Sequence, residues 1–318
     1  MWKTGTFEAE KFDPASTSTV RWVSYRLLEA GIPPTEKEVA IFERLMFHIQ
    51  LSGGVYRTTF ANRFRDLDPW INAALIKNFH QSTHLQAQDW AASDCLTSSQ
   101  WAGSLFQLFP NATLTASDLT LFLIEFTNSD GESYFVEPDG NPLQYFRKPF
   151  VLNLKDEEPW MFPLNRMLQT RAKRRWEEIR GGMSWPRQWV QSEATEMATP
   201  GGVFRKILVV HPKARQLASS NPAFRIAQHS VFEPSPALCH VVRTMNILNK
   251  AYFPCDGLRK GAESVYESLL DGGVWIAGRT VRDSPPQHEV TLFRKENGWF
   301  RKLDQVGPGS ELEPLILG

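Results

Sequence analysis

The sequence lacks an excess of charge of either sign. Lysine plus arginine and aspartate plus glutamate each number 35 among its 318 residues, so the formal net charge is zero. Proteins whose main partner is nucleic acid or an anionic membrane commonly carry a basic excess. The charge balance gives neither partner any electrostatic support, and we expect neither.

Cysteine is scarce, and Cys95, Cys239 and Cys255 are widely separated. An odd number of cysteines without C-x-x-C spacing indicates neither a disulfide framework nor a structural zinc site. We therefore expect no bound metal and a reducing, cytoplasmic location.

Long apolar runs are missing as well. The N-terminal MWKTGTFEAEKFD has charges where a signal peptide needs an apolar core. The densest apolar stretch of the first half, LTLFLIEF at 119–126, is helical or extended in its pattern and too short to span a bilayer. We predict a soluble protein, whose 11 tryptophans and 21 phenylalanines suffice for a large core.

The first quarter of the chain has helical periodicity. Apolar residues recur every three or four positions in VRWVSYRLLEAGI (20–32) and EVAIFERLMFHIQL (38–51). Thr35 and Glu38 match a capping box before the second of these stretches. The pattern predicts a helical N-terminal segment over 1–82.

From residue 83 onward, strands alternate with helices, which is typical of an α/β fold with a parallel sheet. The final runs HEVTLFRK and WFRKLDQV are close enough to predict an antiparallel hairpin at the sheet edge. The charged, Trp- and Met-rich stretch at about 145–200 predicts a helical insertion or lid within this second domain, 83–318.

Small residues follow the first predicted strand at alternate positions. Asp89 closes the strand, and Ala91, Ser93 and Cys95 come next, with no glycine between 86 and 102. Small side chains let the backbone approach a ligand, and a helix beginning nearby directs N–H groups at it. The plain alternative is tight packing of a helix on the sheet.

Two further positions fall where strands of such a sheet end. A carboxylate at Asp118 can accept both hydroxyl protons of a ribose, although a helix N-cap is the commoner role for such a residue. His229 or Ser230 can face an adenine ring, and a half-buried structural histidine is the alternative.

These motifs together resemble those of the class I S-adenosylmethionine-dependent methyltransferases over most of residues 55–318. The likeness rests on the layout Asp89–Cys95, on Asp118, on the fourth-strand run VVRTMNIL, and on Gly272-Gly273 before VWIAGRTV. It implies a Rossmann-like, mostly parallel seven-stranded sheet with S-adenosyl-L-methionine as the cofactor.

Within that class the sequence is similar to the chemotaxis-receptor methyltransferases. The similar segments are TTFANRFRD at 58–66, RTMNILNKAYF at 243–253 and WIAGRTV at 275–281. In that group the first segment touches the cofactor, which implicates Arg65. The group's receptor substrate is not carried over, because its docking subdomain has no clear counterpart here.

The resemblance assigns roles to residues of this chain. Ala91, Ser93 and Cys95 would line the cofactor's methionine and ribose side, Ser230 and Val231 its adenine, and Asn246 the transferred methyl. The cofactor-binding set is Asp89, Ala91, Ser93, Cys95, Asp118, Ser230, Val231, Asn246 and Arg65. The catalytic candidates are His229, Tyr252 and Asn246, and Glu137 and Asp139 are further candidate bases.

Two other groups of side chains suit a ligand. Arg57, Arg63 and Arg65 suit a carboxylate, or an ion-paired helix face. Trp160, Met161, Phe162 and Trp185 could close over an apolar substrate, or could be ordinary packing.

Three functions remain open. The first is a methyltransferase acting on a small molecule or an amino-acid-like acceptor. The second is a catalytically inactive methyltransferase fold that serves as a binding module, because the first motif lacks glycine. The third is a nicotinamide-dependent oxidoreductase, which the same lack of glycine opposes, since a pyrophosphate needs a glycine near the helix start.

Overall fold

The computed structural model describes residues 1–15, 20–49, 51, 57 and 59–317. The strands are β1 Gln86–Trp90, β2 Thr113–Asp118, β3 Phe122–Asn128, β4 Ser133–Val136, β5 Pro142–Arg147, β6 Phe150–Asn153, β7 Glu196–Thr199, β8 Gly202–Leu208, β9 Phe224–Gln228, β10 Cys239–Met245, β11 Leu269–Asp283, β12 Pro286–Glu296 and β13 Trp299–Val306. The α-helices are α1 Glu36–Met46, α2 Asp68–Asn78, α3 Leu96–Leu108, α4 Pro163–Gly181, α5 Arg187–Gln191, α6 Pro212–Ser220, α7 Cys255–Ser268 and α8 Glu313–Ile316.

These elements form two compact units. The antiparallel-sheet unit comprises Met1–Thr58 and Thr120–Pro212, and the parallel-sheet unit comprises Thr59–Leu119 and Lys213–Gly318. The chain therefore enters the second unit after residue 58, leaves it after β2 and returns to it before β9. The division predicted between residues 82 and 83 stays a prediction.

The parallel-sheet unit has a seven-stranded sheet in the order β13-β12-β11-β10-β1-β2-β9. Neighbouring strands from β9 to β11 are parallel, whereas β12 is antiparallel to both β11 and β13. The predicted α/β class, the mostly parallel seven-stranded sheet and its antiparallel C-terminal hairpin are confirmed. Asn297 and Gly298, both at positive φ, make the tight hairpin turn.

The order of the strands reverses between β1 and β10. From β1 the chain passes to β2 and β9 on one side, and then to β10 and β11 on the other. β10 is buried along almost its whole length, as expected for a central parallel strand. In open α/β sheets, ligands bind beyond the carboxyl ends of the strands at such a reversal.

The antiparallel-sheet unit contains a second sheet, in the order β6-β5-β4-β3-β8-β7. This sheet was not predicted from the sequence. The stretch LTLFLIEF contributes β3, whose side chains Phe122, Ile124 and Phe126 join a core with Trp176 of α4. The predicted helical insertion at about 145–200 thus includes α4 and α5, together with strands of this sheet.

The N-terminal helices were predicted with mixed success. Thr35 and Glu38 form both halves of the predicted capping box at the start of α1. The stretch at 20–32, however, forms the 3-10 helices Val20–Trp22 and Tyr25–Leu28 instead of an α-helix. The reason is that Val23 pairs with Thr6 and the Ser24 N–H donates to the Thr6 carbonyl, which holds the backbone extended between the two turns.

Within the described residues, no helix combines the length and the apolar character that crossing a membrane requires.

Candidate functional site

The loop that follows β1 has the backbone conformation of a glycine turn. Ala91, Ser93 and Cys95 lie at φ of 54°, 57° and 64°, in the left-handed region that side chains with a Cβ disfavour. Six non-glycine residues in the described part of the chain have positive φ, and the other three are asparagines. The loop therefore keeps a geometry that glycine usually supplies, at the three positions singled out in the sequence.

Backbone hydrogen bonds hold this loop against the end of β2. The Ala92 N–H donates to the Ser117 carbonyl at 2.8 Å, and the Ser93 N–H donates to Asp118 Oδ2 at 2.8 Å. The Cys95 N–H donates a hydrogen bond to the Ala92 carbonyl at 2.9 Å, just before α3 begins. The loop and the Asp118 carboxylate thus form one unit at the carboxyl edge of the sheet.

The strained turn leads to a stability prediction. A left-handed alanine costs about 1–2 kcal/mol, and glycine loses about 0.5–1 kcal/mol of chain entropy. Ala91→Gly is therefore expected to raise the free energy of unfolding by about 0.5–1 kcal/mol, measured by urea denaturation. Ala92 does not have a positive φ, so the control Ala92→Gly should lower the free energy of unfolding. Equal losses of stability in both variants would contradict the left-handed conformation of Ala91.

The segment after β9 lies at the same edge. The His229 N–H donates to the Asp118 carbonyl at 3.1 Å, and its ring packs on Trp90 with centroids 4.4 Å apart. His229 Nε2 is buried and finds no hydrogen-bond partner among the described residues. Burial lowers the pKa of His229, with Glu233 opposing the shift. Ser230 is half-buried, whereas Val231 belongs to the core around Trp90.

Asn246 follows β10 at the other side of the strand reversal, with φ of 63°. Its N–H donates to the Gly278 carbonyl at 2.8 Å, and its Oδ1 accepts the Thr280 N–H at 2.6 Å. The side chain predicted to lie beside the methyl group therefore joins the ends of β10 and β11.

Asp89 is buried inside the parallel-sheet unit. It accepts hydrogen bonds from Arg243 and, at 2.6 Å, from Ser98 Oγ, and Arg243 also donates to Asp68 Oδ1 at 3.0 Å. The Arg243 guanidinium stacks on Trp101, 4.3 Å from the ring centroid. The Asp89 carboxylate, predicted at the cofactor, thus links β1 to β10 within the protein.

Within this cluster the charge of Arg243 is better compensated by its partners than the charge of Asp68. Burial alone would lower the pKa of Arg243, but Asp89 and Asp68 together raise it. Burial and the neighbouring Asp89 raise the pKa of Asp68 to about 6, against the opposing effect of Arg243. Arg243 therefore stays charged, and its attraction only partly offsets the desolvation of Asp68.

The remaining predicted residues are divided between the two units. Arg63 pairs with Asp283 at 3.2 Å, Tyr252 is exposed, and Arg65 lines a groove between α2 and α3. Glu137 and Asp139 belong to the antiparallel-sheet unit, as do Arg57, Trp160, Met161, Phe162 and Trp185. Thr58, the first residue of TTFANRFRD, lies outside the described residues.

No cluster of three histidine, cysteine or acidic side chains suited to a metal ion occurs within the described residues.

Comparison with known proteins gives similarity at the level of solved structures alone. No family model and no curated protein matches the chain. Solved structures similar to the chain include S-adenosylmethionine-dependent methyltransferases. One is a protein-L-isoaspartate O-methyltransferase of Plasmodium falciparum with bound S-adenosyl-L-homocysteine, at 9% identity over 83% of this chain and 79% of that one, with a TM-score of 0.31. Another is a methyltransferase of Clostridium acetobutylicum, at 10% identity over 79% and 78% of the two chains, with a TM-score of 0.29.

A third is the mitomycin 7-O-methyltransferase MmcR, at 11% identity over 82% of this chain and 44% of that one, with a TM-score of 0.31. Similarity at this level decides neither activity nor substrate. The function proposed below rests on the chain's own geometry.

Arg243 and Asp68 were missed in the sequence. The available signal was an acidic residue, Asp89, on one predicted strand and an arginine, Arg243, on another. In the structure these two residues lie opposite each other in the neighbouring strands β1 and β10. Without the strand order, that pairing could not be read from the chain.

Proposed function

We propose that this protein is a methyltransferase that uses S-adenosyl-L-methionine and acts on a small molecule or an amino-acid-like acceptor. The observation that carries the proposal is the loop Ala91–Cys95, whose three positive-φ residues keep a glycine-type turn while its backbone bonds to the Asp118 carboxylate. Non-glycine residues in that conformation cluster at functional sites. A cytoplasmic location is part of the same proposal.

The residues at this edge fit the cofactor. Asp118 ends β2 with a carboxylate suited to ribose hydroxyls, and α3 begins directly after the loop, with the positive end of its dipole there. His229 and Ser230 follow β9 and offer a ring and a hydroxyl on the adenine side. Cys95 is the tightest point, because it is fully buried at the helix start.

The bound cofactor would supply an activated methyl group on a positively charged sulfur. The protein's part is alignment, since an in-line displacement gains most of its rate from holding the reacting groups in register. The buried ion pair Asp89–Arg243 ties β1 to β10 and so fixes the two strand ends that flank the site. His229 stays the candidate base, and its ring is neutral near pH 7 because burial lowers its pKa.

A non-catalytic binding protein with the same fold is the second candidate. It is favoured by the side chains that occupy the glycine-like positions and by Asn246, whose amide oxygen is bonded to Thr280. The likeness to chemotaxis-receptor methyltransferases adds the segment with Arg65 to the proposal, without a receptor substrate.

Calorimetric titration with S-adenosylmethionine and S-adenosylhomocysteine tests the proposal. Asp118→Ala is expected to weaken the binding of both ligands by about 30-fold, because hydrogen bonds to a charged acceptor contribute roughly 1.5–3 kcal/mol. Gln228→Ala is the matched control, since Gln228 is the register partner of Asp118 in β9 and carries no charge.

The outcomes separate the candidates. No binding of either ligand by the wild type would remove the methyltransferase and favour a module that binds something else. Unchanged affinity in Asp118→Ala would place the ribose elsewhere. Tight binding of NAD alone would favour the oxidoreductase. Binding of S-adenosylmethionine without turnover of any acceptor would favour the non-catalytic protein.

A further inference from the structure

A groove of about 520 Å³ runs between α2 and α3 in the parallel-sheet unit. Its volume falls within the roughly 300–1,000 Å³ that is typical of small-molecule sites. Its walls include Thr97 in the first turn of α3 and Leu108 at the helix end, a span of about 16 Å along the helix axis. The groove therefore begins two residues after Cys95 and continues away from the loop.

Two opposite charges lie on one wall of this groove. Arg65 is exposed and makes no ion pair or side-chain hydrogen bond with any residue that the structure describes. Asp68 Oδ1 accepts a hydrogen bond from Arg243, whereas no described residue donates to Oδ2, and the Asp68 side chain is 15% exposed. The Phe64 carbonyl accepts hydrogen bonds from the N–H groups of Leu67 and Asp68, so the backbone is helical here. Residues three apart, such as Arg65 and Asp68, therefore share a face.

Each of these charges calls for a ligand group of opposite sign. Among the described residues Arg243 donates to Asp68 Oδ1 alone, and burial raises the pKa of Asp68 even with Arg243 beside it. An ammonium group at Oδ2 would complete the compensation. The Arg65 guanidinium has the planar donors that bind a carboxylate through two hydrogen bonds.

We propose that the groove binds an α-ammonium and α-carboxylate pair, with the ammonium on Asp68 and the carboxylate on Arg65. Farther along, Gln107 and Leu108 provide a polar and an apolar contact for an amino-acid side chain. Two sources share this chemistry: an amino-acid acceptor and the methionine end of the cofactor. Naming either source rests on the proposed function, whereas the binding site itself does not.

The test is calorimetry on the full chain with each standard L-amino acid, S-adenosylhomocysteine and 5′-methylthioadenosine, which lacks the amino-acid end. The variants are Arg65→Ala and Asp68→Asn. Arg65 is exposed, so its removal is compatible with folding. Arg171→Ala, which removes an exposed arginine of α4 in the other unit, is the matched control.

The acceptor source is identified if an amino acid binds the wild type and its affinity falls by about tenfold or more in both Arg65→Ala and Asp68→Asn. The control Arg171→Ala should leave that affinity unchanged. A similar loss for S-adenosylhomocysteine, with 5′-methylthioadenosine unchanged, would identify the cofactor source. Both results support the site.

The proposal is overturned if Arg65→Ala changes neither the amino-acid affinities nor the ratio of the affinities for S-adenosylhomocysteine and 5′-methylthioadenosine. It is also overturned if no amino acid binds up to about 10 mM and that ratio is equal in wild type and variant. Failure of the proposed function looks different, because neither nucleoside would bind, while amino-acid binding that depends on Arg65 would still support the groove.

Discussion

Arg243→Met is expected to lower the free energy of unfolding by about 3–5 kcal/mol, the largest effect that this structure predicts for a single substitution. Arg243 is fully buried between β1 and α2, and methionine fills a similar volume without charge. Removing one member of a buried ion pair leaves the other charge buried and uncompensated. Asp89, with 4% of its side chain exposed, would keep only the Ser98 hydroxyl.

The matched control is Arg279→Met on the neighbouring strand. Arg279 also pairs with two carboxylates, Glu289 and Glu311, but 37% of its side chain is exposed. Exposed ion pairs contribute about 0–1 kcal/mol, so this variant should lose little stability. Urea denaturation gives both values, and hydrogen exchange of the β1 and β10 amides localises any loss to the parallel-sheet unit.

A double variant shows whether the uncompensated charge is the cause. Adding Asp89→Asn to Arg243→Met removes the buried carboxylate, so the double variant is expected to be more stable than Arg243→Met alone. If Asp89→Asn lowers stability further in that background, the loss comes from packing against Trp101 and Phe64 rather than from charge.

The parallel sheet could be predicted because its strands and helices leave strong local patterns. Asp118 was placed correctly at the end of β2, since a strand followed by a carboxylate is visible in the chain. The capping box at Thr35 and the hairpin β12–β13 were predicted from similarly local signals. These features depend on residues within a few positions of each other.

The antiparallel sheet could not be predicted in the same way. Its strand β3 pairs with β8, some 80 residues away, and β8 resembles a parallel-sheet strand in the sequence. The positive φ of Ala91, Ser93 and Cys95 was equally hidden, because these residue types usually avoid that region. What overrides their preference is tertiary: hydrogen bonds to Ser117 and Asp118 on the next strand.

Asp68→Asn is expected to change how stability depends on pH. Burial raises the pKa of Asp68 from 3.8 for the free side chain to about 6 in the folded protein. Between these values the unfolded chain ionises Asp68 while the folded protein keeps it protonated, so the free energy of unfolding falls as pH rises. At about 1.4 kcal/mol per pH unit, the total is about 3 kcal/mol.

The asparagine variant cannot ionise, so it escapes this loss. Relative to wild type, its free energy of unfolding should rise by about 2–3 kcal/mol between pH 4 and pH 7, with the change centred between the two pKa values. Urea denaturation at half-unit pH steps measures the difference, and Asp66→Asn, an exposed carboxylate in the same turn, serves as the control. A difference that stays constant over this range would mean that Asp68 is ionised in the folded protein at pH 4. Arg243 would then compensate the carboxylate fully, and the groove would offer no unsatisfied charge to an ammonium ligand.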